Sequence, residues 1–232
     1  MERMFVWLGG GLFVTSLAFC AATYLVSWSA PASADIRWDA VTIDVTLFSV
    51  FALHHSFFAR ERVKRAMSAI VPEPLQRSVY VWIAALLLVM VCGLWRPIGG
   101  EIFQARGLPV ALHVIVQLLG VWLIARAVAG IDALELAGIR QVMKVRLKAD
   151  TTTDLQTGGV YGLVRHPLYL GWILIVFGAA HMTGDRLIFA AISGCYLAIA
   201  IPWEERSLAA AFGDEYGRYR RLVRWRMIPF IY

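Results

Sequence analysis

Apolar residues run in six long stretches along the chain, separated by shorter polar segments. The stretches cover residues 4–29, 41–59, 79–98, 108–130, 168–184 and 186–203. A helix needs about 20 mostly apolar residues to cross the hydrocarbon core of a bilayer. The pattern therefore predicts an all-α integral membrane protein: a bundle of about six transmembrane helices, with a range of five to seven, followed by a cytoplasmic C-terminal helix that begins at Glu204.

The last two stretches are short and are joined only by residues 181–185, which read HMTGD. We expect a tight helical hairpin here, of which one member does not cross fully. A long polar segment precedes the hairpin. The first apolar stretch is longer than the core of a signal peptide, so we expect it to stay as an uncleaved first span.

Composition supports a membrane setting. Hydrophobic residues make up 59% of the chain and charged residues 16%, whereas soluble domains are about 45–50% apolar and about a quarter charged. Most of the 22 Lys and Arg residues follow the second, fourth and sixth stretches, and cytoplasmic loops carry such an excess. We expect both termini in the cytoplasm, and the net charge of +6 does not indicate nucleic acid binding.

An ionisable cluster lies where the fifth apolar stretch begins. Residues 159–171 read GVYGLVRHPLYLG, and Glu204 and Glu205 follow the sixth stretch. Charged groups at membrane depth are costly, so such a cluster is a functional-site hypothesis by default. Pro167 disfavours helix at His166, which predicts a bent segment whose Arg165 and His166 side chains are available to a ligand.

These residue types suit a zwitterion that carries a flat ring. An Arg side chain such as Arg165 binds a carboxylate bidentately, and the rings of Tyr161 and Tyr169 can lie against a heterocycle or a cation. The carboxylates of Glu204 and Glu205 can receive an ammonium or a sulfonium. The alternative is that Arg165 and one glutamate form an interfacial salt bridge and no binding site.

Two adjacent histidines, His54 and His55, lie at the predicted cytoplasmic end of the second span, on the side of the RHPLY segment. They are candidates for a substrate pocket. In the alternative, one faces the head groups and the other bonds between helices. The sequence predicts no metal site, because Cys20, Cys92 and Cys195 lack zinc spacing and the histidines lack further ligands.

Two motifs carry a family resemblance: GVYGLVRHPLYLGW at 159–172 and EERSLAAAFGDEYGRYRRLV at 204–223. They resemble the carboxyl-terminal signature of the membrane methyltransferases typified by isoprenylcysteine carboxyl methyltransferase. Upstream, FALHHSFFAR, VPEPLQRSVYV, LWRPIGG and ELAGIRQV are similar to the bacterial methanethiol S-methyltransferase family. The resemblance implies S-adenosylmethionine as the cofactor.

The resemblance also implies roles for particular residues. One stretch and its polar neighbours are the candidates for cofactor contacts: Gln141, Tyr161, Arg165, His166, Pro167, Leu168, Tyr169 and Glu204. Glu205 matches the catalytic glutamate, and His54, His55 or Glu205 is the candidate acceptor of a thiol proton. We expect one membrane domain over residues 1–232, with spans one to four in 1–130 and the cofactor-binding part in 131–232.

The implied function is methyl transfer to a small thiol, methanethiol to dimethyl sulfide, at a cytoplasmic site in a bacterial inner membrane. The stretch before Glu205 carries no Arg, unlike the prenylcysteine enzymes, which weighs against carboxyl methylation. Other acceptors stay open: another thiol, an isoprenoid-linked carboxylate or a lipid amine. A non-catalytic transport or accessory protein, and a sterol-reductase-like enzyme with a nicotinamide cofactor, are the alternatives from other classes.

Overall fold

The computed structural model describes residues 1–58, 61–130, 134, 137–140, 142–143 and 154–232. Its α-helices are α1 (Glu2–Ala22), α2 (Trp38–Phe58), α3 (Glu61–Met67), α4 (Glu73–Gly93), α5 (Leu108–Ala129), α6 (Pro167–Phe177) and α7 (Gly184–Leu222). A π-helical turn (Thr23–Ser27) continues α1, and a 3-10 turn covers Gly159–Gly162. Strands β1 (Glu101–Gln104) and β2 (His181–Thr183) pair antiparallel.

Five helices in the described part of the chain are long and apolar enough to cross a membrane: α1 with its π turn, α2, α4, α5 and α7. The predicted all-α integral membrane fold is confirmed. The member of the predicted hairpin that does not cross fully is α6, which has 11 residues. At 1.5 Å per residue it is about 16 Å long, roughly half the thickness of the hydrocarbon core.

The chain divides into two compact units, residues 1–100 with the described part of 132–151, and residues 101–131 with 152–232. In the first unit, α1 and α2 pack against α4. Asp44 of α2 is completely buried there and accepts the N–H of Arg96 at 2.9 Å. In the second unit, α5 packs against α6, and α6 against α7. The single membrane domain that the sequence predicts stays a prediction.

Two glycines set the distance between α5 and α6. A Cβ on Gly120 would lie 2.6 Å from the carbonyl oxygen of Gly171, and a Cβ on Gly171 would lie 2.7 Å from the carbonyl oxygen of Gly120. Small residues of this kind let helix backbones approach closely in membranes. The contact fixes α6, and therefore the site residues that directly precede it, against α5.

Polar side chains of α5 provide hydrogen-bond partners for the main-chain carbonyls at the carboxyl end of α6. Gln117 donates from Nε2 to the carbonyl oxygen of Ile175 at 3.0 Å, and His113 Nδ1 lies 3.1 Å from the carbonyl oxygen of Gly178. The last carbonyls of a helix have no partner inside the helix, and leaving them unbonded in apolar surroundings is expensive. These two contacts allow a short helix to end between apolar neighbours.

The position of α7 differs from the predicted position of the C-terminal helix. The sequence predicts a separate cytoplasmic helix from Glu204, but α7 continues without a break past Glu204 and Glu205. The interruption comes at Gly213, whose φ of 51° and ψ of −124° suit glycine and strain any residue with a Cβ. Beyond this bend, a buried cluster of Tyr216, Tyr219 and Val223 forms, so the bend brings the tail back onto the second unit.

Candidate active site

The RHPLY segment enters α6 in the bent form that its proline predicts. His166 is the N-cap residue of α6, with φ of −122° and ψ of 66°, and Pro167 takes the first helical position, where its missing N–H costs nothing. The N–H groups of Arg165 and His166 donate to the carbonyl oxygens of Trp225 and Arg226, at 2.9 and 2.8 Å. The residues after α7 therefore hold this segment in place.

A buried ion pair lies at the centre of the site. Arg165 donates from Nε to Oε1 of Glu205 at 2.6 Å, and the two side chains are 6% and 5% exposed. Arg165 Nη1 also donates to the carbonyl oxygens of Val223 and Arg224 at 2.7 and 2.8 Å. Arg226 Nε lies 3.4 Å from Oε2 of Glu205. The carboxylate is therefore held between two guanidinium groups, as a buried charge requires.

The imidazole of His166 lies between two carboxylates. Its Nδ1 is 3.5 Å from Oε2 of Glu204, and its Nε2 is 3.6 Å from Oε1 of Glu205. The ring stacks on Tyr169 with centroids 5.3 Å apart, and the Tyr169 hydroxyl donates to Glu204 at 2.8 Å. Within the described residues, His166 Nε2 is buried and makes no hydrogen bond, and Oε1 of Glu205 lies just beyond hydrogen-bond distance.

The remaining residues of the predicted stretch face the helix pair rather than the ion pair. Tyr161 donates from its hydroxyl to Ala127 of α5 at 3.3 Å, and Tyr161 and Leu168 pack on a cluster built from α5 residues and Val160. Burial, and then the charge of Glu204, raises the pKa of Tyr161 to about 12. Its phenol therefore stays protonated at neutral pH and acts as a donor.

The two predicted histidines belong to the first unit. The ring of His55 is hydrogen-bonded to the hydroxyl of Tyr80. His54 lies between the rings of Phe58 and Tyr80, with centroids 4.6 and 5.6 Å away. Both nitrogens of His54 are buried and have no hydrogen-bond partner in the described part of the chain. Gln141, the other predicted cofactor contact, lies outside the described residues.

The residues after α7 contribute to the site in a way that the sequence did not predict. Their Arg residues indicated only the orientation of the chain, whereas Arg226 faces Glu205 and the carbonyls of Val223 and Arg224 accept hydrogen bonds from Arg165. A usable signal was present, because a glutamate predicted near hydrocarbon needs cationic partners. That requirement points to every Arg close to the predicted site, including Arg224 and Arg226.

Comparison with known proteins identifies the family. Residues 108–215 match the family model described as phospholipid methyltransferase. This range contains α5, α6, Glu204 and Glu205. A methanethiol S-methyltransferase of Crocosphaera subtropica is 35% identical over 242 aligned residues, which cover 100% of this chain and 94% of that protein.

Two further relatives give the same result. Methanethiol S-methyltransferase 2 of Bradyrhizobium diazoefficiens is 37% identical and covers 80% of this chain and 72% of its own length. The methanethiol S-methyltransferase of Mycobacterium tuberculosis is 36% identical, with coverages of 79% and 76%. No solved structure matches the chain. The resemblance seen in the motifs is confirmed, and this chain belongs to the methanethiol S-methyltransferase family of integral membrane methyltransferases.

Proposed function

We propose that this protein transfers the methyl group of S-adenosylmethionine to methanethiol and releases dimethyl sulfide, at a site that faces the cytoplasm of a bacterial inner membrane. The observation that carries the proposal is the buried pair of Arg165 and Glu205 beside His166, in a chain whose relatives bear the methanethiol S-methyltransferase name. The excess of Lys and Arg in the same predicted loops supports the orientation.

The polar residues of the site fit a zwitterionic cofactor. Glu204 is 45% exposed at its side chain, and its described contacts are the Tyr169 hydroxyl and the His166 ring, so its charge is available to an ammonium group. His166 Nε2 is a buried polar atom that makes no hydrogen bond among the described residues, so we propose that it contacts the cofactor. Bound S-adenosylmethionine supplies an electrophilic methyl group on a positively charged sulfur.

We propose distinct roles for the surrounding residues. Tyr161 and Leu168 form the wall toward α5, Pro167 begins α6 and sets the bend before it, and Gln141 stays a predicted contact. Arg165 holds Glu205 rather than a ligand carboxylate with its Nε, because that nitrogen is already bonded to Glu205. Glu205 is held by Arg165 and Arg226, and we assign it the catalytic role that the family resemblance implies. Holding reactants in line contributes about 7–11 kcal/mol to such transfers.

The acceptor sulfur must first lose its proton, since the thiolate is the nucleophile. We propose that His54 takes this proton, because His55 is engaged by Tyr80 whereas both nitrogens of His54 lack partners among the described residues. The S–H electron pair stays on the acceptor sulfur, which would take the methyl group as the methyl–sulfonium bond breaks. The electron pair of that bond would remain on the cofactor sulfur, so S-adenosylhomocysteine would be the leaving group. Neutral dimethyl sulfide is then the product.

The two histidines can be separated by substitution. We expect His54→Asn to lower kcat/KM for methanethiol by roughly 100-fold or more, the usual contribution of a general base, and His55→Asn to lower it several-fold at most. The measurement is headspace gas chromatography of dimethyl sulfide, with calorimetric binding of S-adenosylmethionine to both variants as the control. Equal losses in the two variants would contradict the assignment to His54.

The cofactor site is tested by calorimetry on detergent-purified protein. We expect wild type to bind S-adenosylmethionine, and Glu204→Gln to raise the Kd roughly tenfold, because a hydrogen bond to a charged group contributes about 1.5–3 kcal/mol. Glu215→Gln is the matched control, an exposed glutamate on the same helix, and should bind like wild type. An unchanged Kd for Glu204→Gln would remove Glu204 from the site.

The same preparation tests the acceptor. Dimethyl sulfide formed after addition of methanethiol supports the proposed reaction. Cofactor binding without that product redirects the acceptor to a lipid amine, which the match to the phospholipid methyltransferase model supports as the second candidate. Folded wild-type protein that binds no S-adenosylmethionine would contradict the proposed function as a whole.

A further inference from the structure

The residues that follow α7, 223–232, form a loop that closes on itself; we name it the closing loop. Within it, the main-chain oxygen of Tyr232 accepts three N–H groups, from Arg226, Met227 and Ile228, at 3.0, 2.8 and 3.0 Å. Three donors on one oxygen fix the position of Tyr232 relative to Arg226. The loop is therefore a defined structure at the site, and its last residue is bonded to residues 226–228.

The phenol of Tyr232 holds Arg226 a second time. Arg226 Nη1 donates to the Tyr232 hydroxyl at 3.1 Å, and the guanidinium carbon lies 5.1 Å from the ring centroid. The hydroxyl in turn donates to the carbonyl oxygen of Ala198 in α7 at 3.2 Å. Tyr232 thus links the guanidinium to the same helix that carries Glu205.

The closing loop contacts both residues of the ion pair, Arg165 and Glu205. Arg226 Nε faces Oε2 of Glu205 at 3.4 Å, while Arg165 bonds the loop carbonyls of Val223 and Arg224. Glu205 has one oxygen toward each guanidinium. The orientation of the Glu205 carboxylate therefore depends on the position of Arg226, and Tyr232 fixes that position.

We propose that Tyr232 is a positioning residue for methyl transfer: its phenol fixes Arg226 against Glu205 and so fixes the direction of that carboxylate. The inference rests on the proposed catalytic role of Glu205. If the hydroxyl of Tyr232 had a purely structural role, its removal would lower the stability of the protein and leave the turnover per folded molecule unchanged.

The test is Tyr232→Phe, which keeps the ring and the main-chain oxygen and removes only the hydroxyl. We expect kcat for dimethyl sulfide formation to fall about tenfold, as loss of one hydrogen bond to a charged group implies. The Kd for S-adenosylmethionine should stay within about threefold, because the described contacts of Tyr232 are with Arg226, Met227, Ile228 and Ala198 and include no residue assigned to the cofactor. A wild-type kcat in this variant overturns the proposal.

A double variant shows whether Tyr232 acts through Arg226. If it does, Tyr232→Phe combined with Arg226→Gln has the kcat of Arg226→Gln alone, because residues that share one interaction are not additive. Losses that multiply overturn the proposal. Ile231→Ala is the control in the same loop, since this side chain is 78% exposed, and it should retain wild-type kcat.

A spectroscopic signature separates this inference from the proposed function. The Nε–H signal of Arg226 in a ¹⁵N-edited NMR spectrum, assigned by its loss in Arg226→Gln, should shift and exchange faster with water in Tyr232→Phe. This readout needs no cofactor. If wild type binds no S-adenosylmethionine, the proposed function fails while the signal still tests the contact, and a signal that stays unchanged overturns the role of Tyr232.

Discussion

Replacing Glu205 with glutamine should abolish methyl transfer and lower the free energy of unfolding by about 3–5 kcal/mol, the usual cost of removing one partner of a buried ion pair. The side chains of Arg165 and Glu205 are 6% and 5% exposed, so water cannot replace the lost carboxylate. Arg226 would lose its anionic partner as well. Thermal unfolding and headspace assay of dimethyl sulfide on the same preparation measure both effects.

The adjacent residue provides the matched control for stability. Glu204 is 45% exposed at its side chain, so Glu204→Gln should change the free energy of unfolding by at most about 1 kcal/mol. Glu205→Gln that unfolds like wild type would show that the pair is not a buried one in the protein.

A second variant separates stability from catalysis. Replacing both partners of a buried ion pair by apolar residues is often close to neutral, so Arg165→Met with Glu205→Leu should recover part of the stability lost in Glu205→Gln. It should recover no activity, because the carboxylate of the proposed catalytic residue is gone. A folded double variant that still forms dimethyl sulfide would remove Glu205 from the catalytic residues.

The membrane fold could be predicted from the sequence because the length and apolarity of a span are direct consequences of bilayer thickness. Boundaries were less accurate. The predicted third span, 79–98, is α4 at Glu73–Gly93. Its first turns are polar, which hid the start, and the apolar residues after it include Pro97 and precede Gly99, whose φ is +75°, so they cannot continue the helix.

The residue at which α6 ends could not be predicted from an apolar run alone. Residues 168–184 are apolar enough for one span, and the helix ends at Phe177 because its carboxyl end finds partners on another element. Those partners, Gln117 and His113 of α5, are 58 and 65 residues away from the carbonyls they contact. Such a termination depends on tertiary contacts, which no local pattern contains.

The sequence predicted which residues form the candidate site, but it did not predict which hydrogen bonds they make. Charges that are expensive near hydrocarbon pointed to Arg165, His166 and Glu205, and the structure brings these three together. The sequence left open whether Arg165 binds a ligand or a glutamate. In the structure, Arg165 Nε donates to Glu205. A buried guanidinium bonds the acceptors that the fold places near it, and here α7 and the closing loop supply those acceptors.

Adding a single methyl group at Gly171 should disable the protein through packing alone. In Gly171→Ala the new Cβ would lie 2.7 Å from the carbonyl oxygen of Gly120 and 2.7 Å from Cγ1 of Ile124. A backbone oxygen cannot rotate away, so α5 and α6 must separate, at a cost of about 1–3 kcal/mol. Because α6 begins directly after His166, its displacement also moves His166, and we expect activity to fall at least tenfold.

The same substitution elsewhere isolates the contact. Gly11 lies in α1, and a Cβ there would meet nothing within 4 Å, so Gly11→Ala should raise helix stability by about 0.5–1 kcal/mol. The two variants differ from wild type by the same methyl group, yet thermal unfolding should move in opposite directions. If Gly171→Ala unfolds at or above the wild-type temperature, the close contact of α5 and α6 is wrong, and the placement of His166 that depends on it fails as well.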